Sequence, residues 1–229
     1  MDILSHVLVS PNVTRVACGK NRTPLLAPDT IVVHYTGGGD ARSSALYLAD
    51  PATKASAHVV IARDGQVFQL VPFNVRAWHA GVSALEGRTN VNAFSFGIEL
   101  ANAGRLTRRD DRWFTWFGTE IPGEEVCTCR GREGVTYWHA YTPLQLRVAD
   151  RVCQLLAKYY PVCRLVGHAD ITSRKQDPGP AFPWEAFRNM VGNLPRRSKS
   201  GEAIRMNPAG NAMDGFALCH IIHASGTHD

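Results

Sequence analysis

The residues most able to do chemistry lie in a short loop in the second half of the chain. His168, Lys175 and Asp177 fall within ten residues of one another, in a stretch whose glycines and prolines exclude a regular helix or strand. His34 lies far upstream, at the end of the apolar, β-branched run Ile31–Tyr35, which predicts a buried strand. Two imidazoles and one carboxylate make a three-ligand set that leaves one tetrahedral position on Zn²⁺ open for water. The pattern therefore predicts a zinc site with hydrolytic chemistry.

A hydrolase of this kind also needs a base and a cation beside the metal. Zinc can lower the pKa of bound water from about 15.7 to about 7, so His34, His168 and Asp177 are the predicted ligands. Glu99 lies near the end of an apolar strand, where low polarity would raise its pKa toward neutrality, and it is the predicted base. Lys175 is predicted to stabilise the oxyanion.

Other residues leave two interpretations open. Asp177 could simply cap the Pro-Gly turn that follows it, and Glu99 could lie on an exposed edge strand. Trp78 and His79 could pack at the edge of the core or line a substrate cleft. The cleft is favoured because an indole offers an apolar face to a sugar or a peptide stem. His58 follows a strand pattern and is predicted to be structural.

The elements around these residues predict an α/β fold with a sheet flanked by helices. Predicted strands and helices alternate along the chain: strand Ile31–Tyr35, helix Ala41–Ala49, a hairpin of Ala57–Ala62 and Gln66–Val71, strand Phe94–Leu100, a helix from Thr142–Pro143 to Tyr159, strand Arg164–Val166, and a helix from Pro183 to Val191. Residues 105–141 show little periodicity and predict a long loop or a small excursion near the site. Residues 1–194 are predicted to form one catalytic domain, with residues 195–229 as a loosely packed or disordered tail.

Charge and composition limit the classes of binding partner that the sequence predicts. The formal net charge of +5 suits an anionic polymer as a partner. The chain has no ladder of alternating aromatic and basic residues, which a single-stranded nucleic-acid binder needs, so nucleic acid is not predicted. The sequence contains no run of about 18 apolar residues, so no membrane span is predicted. The N-terminus lacks the basic and apolar regions of a secretory signal, which predicts a cytoplasmic protein unless another device releases it to the cell wall.

The six cysteines do not form paired CxxC motifs. Cys127 and Cys129 are the one close pair, and a second zinc site with His139 is conceivable. Reduced thiols in a cytosolic protein are the favoured interpretation. Cys153 falls on the apolar face of the helix that starts at Pro143, which predicts a core position.

Four separated motifs then carry a family resemblance. They occur in the order His34–Thr36, Ala77–Ser83, Phe96–Leu100, and Gly167–Ile171 followed by Lys175–Trp184. In order and spacing the chain resembles the zinc-dependent N-acetylmuramoyl-L-alanine amidases of the type 2 group, which are related to peptidoglycan recognition proteins and phage T7 lysozyme. The resemblance spans roughly Thr30 to Trp184.

This resemblance implies a central mixed β-sheet flanked by helices, with peptidoglycan or muropeptide as substrate. It implies zinc held by His34, His168 and Asp177, with Glu99 and Lys175 assisting catalysis. Two alternatives stay open: a non-catalytic peptidoglycan-binding protein, disfavoured because the ligand set is complete, and a zinc hydrolase of another amide. Leu85 stands where such enzymes often carry an aromatic residue, and neither residues 105–141 nor the tail has a counterpart.

Overall fold

The computed structural model describes residues 1–131 and 134–191 and three short strands beyond them, with side chains up to residue 187. The strands of the first hundred residues are β1 (Asp2–Leu4), β2 (Val7–Val9), β3 (Val13–Arg15), β4 (Thr30–Tyr35), β5 (Val59–Ile61), β6 (Val67–Gln69), β7 (Ala84–Leu85), β8 (Arg88–Thr89) and β9 (Ser95–Leu100). Those that follow are β10 (Arg105–Arg109), β11 (Arg112–Phe114), β12 (Glu120–Ile121), β13 (Val126–Gly131), β14 (Gly134–His139), β15 (Arg164–Gly167), β16 (Arg196–Arg197), β17 (Ala203–Ile204) and β18 (Cys219–Ile221). The helices are α1 (Ala41–Ala49), α2 (Pro143–Tyr159) and α3 (Trp184–Val191), with short 3-10 turns at Val91–Ala93, Gly123–Glu125 and His168–Asp170.

A six-stranded mixed sheet forms the centre of the molecule, in the order β15-β4-β9-β5-β6-β3. Strands β15, β4, β9 and β5 run parallel, whereas β6 is antiparallel to β5. Apolar side chains of α2 pack on one face of this sheet and those of α1 on the other. The predicted α/β class, a mixed sheet flanked by helices, is confirmed.

Helix α2 begins and packs as its sequence predicts. The Thr142 hydroxyl accepts the Gln145 N–H at 3.1 Å, and Pro143 takes the first helical position. Cys153 and Leu156 are fully buried against the sheet, so the predicted core position of Cys153 is confirmed. Helix α2 thereby covers one face of the sheet, and the polar side chains of the candidate site lie on the opposite face.

The alternation of side chains along β4 and β9 separates core from site. Ile31 and Val33 point into the cluster that α2 covers, and so do Phe96 and Ile98. Because successive side chains of a strand point to opposite faces, the residues between and beyond them lie on the other face: His34 on β4, and Ser95, Gly97 and Glu99 on β9.

Of the two alternatives for residues 105–141, the long loop is wrong. These residues form most of a second, antiparallel sheet of order β12-β11-β10-β14-β13-β18. Its small core contains Leu106, Ile121 and Val126. Its strands are mostly polar on the solvent side, so alternation of apolar residues is too sparse to recognise from the sequence.

The second sheet is tied to the first by a partly buried polar contact. Arg63, in the turn after β5, bonds the Glu125 carboxylate at 2.6 Å and the Ala140 carbonyl at 2.7 Å. The Nε2 of His139 is 3.0 Å from the same carboxylate, and its Nδ1 accepts the Ala103 N–H. Both nitrogens of His139 are thus engaged, which argues against a second zinc site with the neighbouring cysteines.

The cysteines differ in oxidation state. Cys127 is disulfide-bonded, so the expectation of reduced thiols is wrong for this residue. Cys18, Cys153 and Cys163 are free thiols. The predicted tail after residue 194 lies outside the described residues, apart from the short strands β16, β17 and β18. None of the helices in the described part of the chain is long and apolar enough to cross a bilayer.

Candidate metal centre

The topology of the central sheet brings the distant sequence motifs together. In the parallel pairing of β4 with β9, His34 lies directly beside Glu99. On the other side of β4, Gly167 of β15 lies beside Val33, so that His168, the next residue, follows at the level of His34. Because the carboxyl ends of parallel strands share one edge of a sheet, that edge gathers two imidazoles and a carboxylate.

Asp177 completes a compact group of three ligand atoms. Its Oδ2 lies 3.0 Å from the Nδ1 of His34 and 3.0 Å from the Nδ1 of His168. The two Nδ1 atoms are themselves 3.0 Å apart. All three residues are buried, and they are the one group of this kind among the described residues that could hold a metal ion.

The loop that carries Asp177 is held by backbone contacts. The Ala169 N–H donates to the carbonyl of Asp177 at 3.0 Å, and the buried Tyr141 hydroxyl donates to the carbonyl of Pro178 at 2.7 Å. Gly167 leaves room for this approach, since a Cβ there would stand 2.7 Å from the Cδ of Pro178. The glycine that ends β15 is therefore a requirement of the site.

The charges of the group suit a divalent cation. Burial alone would raise the pKa of Asp177, but the imidazoles of His168 and His34 at its Oδ2 lower that pKa below its usual value. Burial lowers the pKa of His34, although Asp177 opposes this. These shifts favour a neutral His34 and an ionised Asp177, the forms that bind metals. Two nitrogens with one oxygen is a donor set that zinc accepts.

Glu99 is the acidic residue best placed to act as a base beside this group. It is 9% exposed, and its Oε2 has no hydrogen-bond partner among the described residues. Burial, and then the nearby Asp177 carboxylate, raise the pKa of Glu99 well above its usual value, while Lys175 opposes the shift. Lys175 itself is exposed. A buried carboxylate with a raised pKa and a free oxygen can accept a proton near neutral pH.

The structure puts Trp78 and His79 in different places. Trp78 is 38% exposed, which agrees with a surface that a substrate can reach. His79 is only 7% exposed, and its Nδ1 lies 3.0 Å from the Nε2 of His34. The cleft-wall position predicted for His79 is thus not what the structure describes: this ring lies behind His34, one of the candidate ligands.

Several residues of the site have no counterpart in the sequence-based prediction. Asn92 accepts the backbone N–H groups of His79 and Ala80 at 3.0 and 2.8 Å. The hydroxyl of Ser95 lies 3.2 Å from the Nε2 of His79. A sequence signal did exist for this neighbourhood, because Gly97 interrupts an apolar strand, and a glycine there often marks the close approach of another group.

His58 is structural, as predicted, and it makes stability depend on pH. Its Nδ1 accepts the Gly97 N–H and its Nε2 donates to the Val75 carbonyl, each at 3.0 Å. Burial lowers the pKa of His58 from 6.5 to about 4. The unfolded chain binds a proton on this ring below pH 6.5 and the folded chain only below about 4, so stability falls as the pH drops through that interval.

The expected loss from His58 alone is on the order of 3 kcal/mol, at about 1.4 kcal/mol per pKa unit. Denaturant titrations between about pH 7 and about pH 4 would measure it. In His58→Asn the amide oxygen can still accept the Gly97 N–H but cannot titrate, so this variant should show a shallower dependence. Equal slopes in both proteins would contradict the assignment.

Comparison with known proteins agrees with this geometry. The profile of the N-acetylmuramoyl-L-alanine amidase family matches residues 24–180. The 1,6-anhydro-N-acetylmuramyl-L-alanine amidase AmpD of Escherichia coli K12 is 35% identical over 160 residues, which cover 69% of either chain. A crystal structure of a selenomethionine AmpD derivative matches with a TM-score of 0.57 and 30% identity over 83% of this chain and 99% of that one.

A second structure carries a ligand. The Escherichia coli amidase AmiD, in complex with anhydro-N-acetylmuramic acid-L-Ala-D-gamma-Glu-L-Lys, matches with a TM-score of 0.56 and 29% identity over 74% of this chain and 58% of that one. The family profile covers more than half of the chain, and it includes every residue of the metal group and Glu99. The protein is therefore an enzyme of the N-acetylmuramoyl-L-alanine amidase family.

Proposed function

We propose that this protein is a zinc-dependent amidase that hydrolyses the bond between N-acetylmuramic acid and L-alanine in peptidoglycan or its fragments. The observation that carries the proposal is the convergence of three buried ligand atoms, at 3.0 Å from one another, beside a buried carboxylate with a free oxygen. The catalytic domain would comprise residues 1–194.

His34, His168 and Asp177 would hold the ion. When bound there, zinc supplies a Lewis acid that polarises the amide carbonyl and lowers the pKa of water. The protein's part is to keep the His34 imidazole neutral and the Asp177 carboxylate ionised, which the directions of their pKa shifts support.

Glu99 would accept the proton of the attacking water and return it to the nitrogen of the leaving L-alanine. Burial raises the pKa of Glu99, so the protonated form is favoured once the proton has been accepted, and the same group can then act as the acid that follows. The Lys175 ammonium would stabilise the negative charge that develops on the carbonyl oxygen. Trp78, exposed near the site, would contact the sugar or the peptide stem.

The substrate class rests on the relatives. AmpD of Escherichia coli is named for the amide of a 1,6-anhydro sugar, and AmiD was solved with an anhydro-N-acetylmuramic acid peptide. The same bond occurs in the intact wall, and the net charge of +5 would favour that anionic polymer.

The test is mass spectrometry of muropeptides incubated with the purified protein. We expect release of free stem peptide, with loss of this release on chelation and return of it when zinc is restored. Anhydro-muropeptides and intact sacculi, assayed side by side, would identify the preferred source. Intact muropeptides in the presence of bound zinc would contradict the proposed reaction and leave the alternative of another amide.

A further inference from the structure

We propose that His79 and Ser95 are positioning residues that fix the tautomer of His34, so that its Nδ1 always presents a lone pair toward the metal position. The inference rests on the proposed metal site, but its first step concerns only hydrogen bonds within the protein. It gives His79 a role that neither substrate contact nor core packing provides.

The direction of the hydrogen bonds starts at Ser95. Its hydroxyl is 2.7 Å from the carbonyl of Val91, an acceptor only, so the single hydroxyl proton points there. The Ser95 oxygen then has only lone pairs for its second contact, the Nε2 of His79 at 3.2 Å. That contact requires a proton on the Nε2 of His79.

The direction continues from His79 to His34. A neutral imidazole with a proton on Nε2 has a lone pair on Nδ1, and the two ring nitrogens of the buried His79 face the Ser95 hydroxyl and the His34 ring, neither of which is a carboxylate that would favour a second proton. The Nδ1 of His79 is 3.0 Å from the Nε2 of His34, so His34 must donate here. Its own Nδ1 is thereby left as a lone pair, facing Asp177 and His168.

The surrounding residues hold the His79 ring in this place. The ring lies directly over Gly97, where a Cβ would stand 2.3 Å from its Cγ. The side-chain Oδ1 of Asn92 accepts the backbone N–H groups of His79 and Ala80 and so fixes the backbone that carries the ring. A glycine weakens a central strand, and its place opposite the ring indicates that the contact, not the strand, determines the residue.

This arrangement matters because a histidine has two tautomers and only one of them can use Nδ1 as a ligand. A group that hydrogen-bonds the other ring nitrogen fixes the tautomer and the ring orientation, and loss of such a group typically costs about 10–100-fold in metal affinity. His168 has no comparable partner for its Nε2 among the described residues. This relay of hydrogen bonds, from Ser95 through His79 to His34, therefore acts on only one of the three candidate ligands.

The first experiment is long-range ¹H–¹⁵N NMR of the metal-free protein labelled at histidine, at a pH where the buried rings are neutral. We expect both His34 and His79 to carry their protons on Nε2, with resonances assigned by His79→Asn and His58→Asn. A proton on the Nδ1 of His79 would overturn the proposal. This measurement does not need bound zinc or activity.

The second experiment measures zinc affinity by competition with a chromophoric chelator. We expect His79→Leu to bind zinc about 10–100-fold more weakly. His79→Asn, whose amide oxygen replaces the Nδ1 acceptor, should recover most of the affinity. Ser95→Ala should weaken binding less than His79→Leu does, and it removes a single hydroxyl if the leucine variant does not fold.

Ser83→Ala is the matched control for Ser95→Ala. Ser83 is also a buried serine that bonds backbone groups of this region, with its hydroxyl 3.3 Å from the Gly81 carbonyl and its oxygen 3.3 Å from the Val91 N–H, but it does not touch a histidine of the relay. We expect its zinc affinity to be unchanged. Equal affinities for His79→Leu, His79→Asn and the unmodified protein would overturn the proposal. Absence of zinc binding by the unmodified protein would contradict the proposed function instead, and the NMR result would still decide the tautomers.

Discussion

Glu99→Gln is expected to lower kcat by about 10²–10⁴-fold, the usual contribution of general acid–base catalysis, while zinc binding stays unchanged. The amide has nearly the size and shape of the carboxylate, so the buried site keeps its packing, but it cannot accept the proton of the attacking water. Glu99 contributes none of the three ligand atoms that lie 3.0 Å from one another, so its substitution should leave the ligand group intact.

The measurement is steady-state release of stem peptide, together with zinc content. Glu86→Gln is the control: this glutamate is exposed and pairs with Arg164 at 2.7 Å, away from the metal group. It should keep normal turnover. If Glu99→Gln hydrolysed muropeptides at nearly the normal rate, the proton would have to go to another group.

A neutral residue at position 99 should also be easier to bury. Burial and the Asp177 carboxylate both disfavour the charged form of Glu99, so the native carboxylate reduces the stability of the fold at neutral pH. The variant is thus expected to be at least as stable as the native protein, which separates a catalytic loss from a folding defect.

The sequence could single out the candidate ligand residues because their chemistry is local. His34 ends an apolar strand, and Asp177 lies in a loop that no helix or strand pattern can accommodate, so both stand out by type and position. The partnership between His34 and Glu99 was beyond such reasoning, because it depends on the register of β4 against β9, and a shift by one residue would turn these side chains to opposite faces.

The position of His79 shows a different limit. The indole of the neighbouring Trp78 favours an exposed cleft, whereas the His79 ring is buried over Gly97 and bonded to His34. Only three-dimensional packing decides whether a histidine in a loop turns outward or inward. The second sheet escaped prediction for a related reason: its strands are short and largely polar, and they are stabilised by pairing with one another and not by a strong apolar alternation.

Asp177→Asn is expected to have the largest effect on the metal. The change removes the one negative charge of the ligand group and replaces an ionised oxygen by a neutral amide, which is a much weaker zinc ligand. We expect zinc affinity to fall by more than the roughly 10–100-fold that loss of an outer contact causes, and stem-peptide release to become undetectable. Chelator competition and the rise of Tm on zinc addition would both report it.

Asp170→Asn provides the matched comparison. Asp170 lies in the same loop, two residues after His168, and its Oδ2 accepts the Gly167 N–H at 2.7 Å. An asparagine can keep that hydrogen bond through its amide oxygen, so the same chemical change should leave zinc binding and turnover nearly normal. Two isosteric substitutions seven residues apart thus separate a carboxylate that binds the ion from one that shapes the loop. Normal zinc affinity in Asp177→Asn would remove this residue from the ligand group and would require another donor beside the two histidines, since two ligands are too few for a stable zinc site.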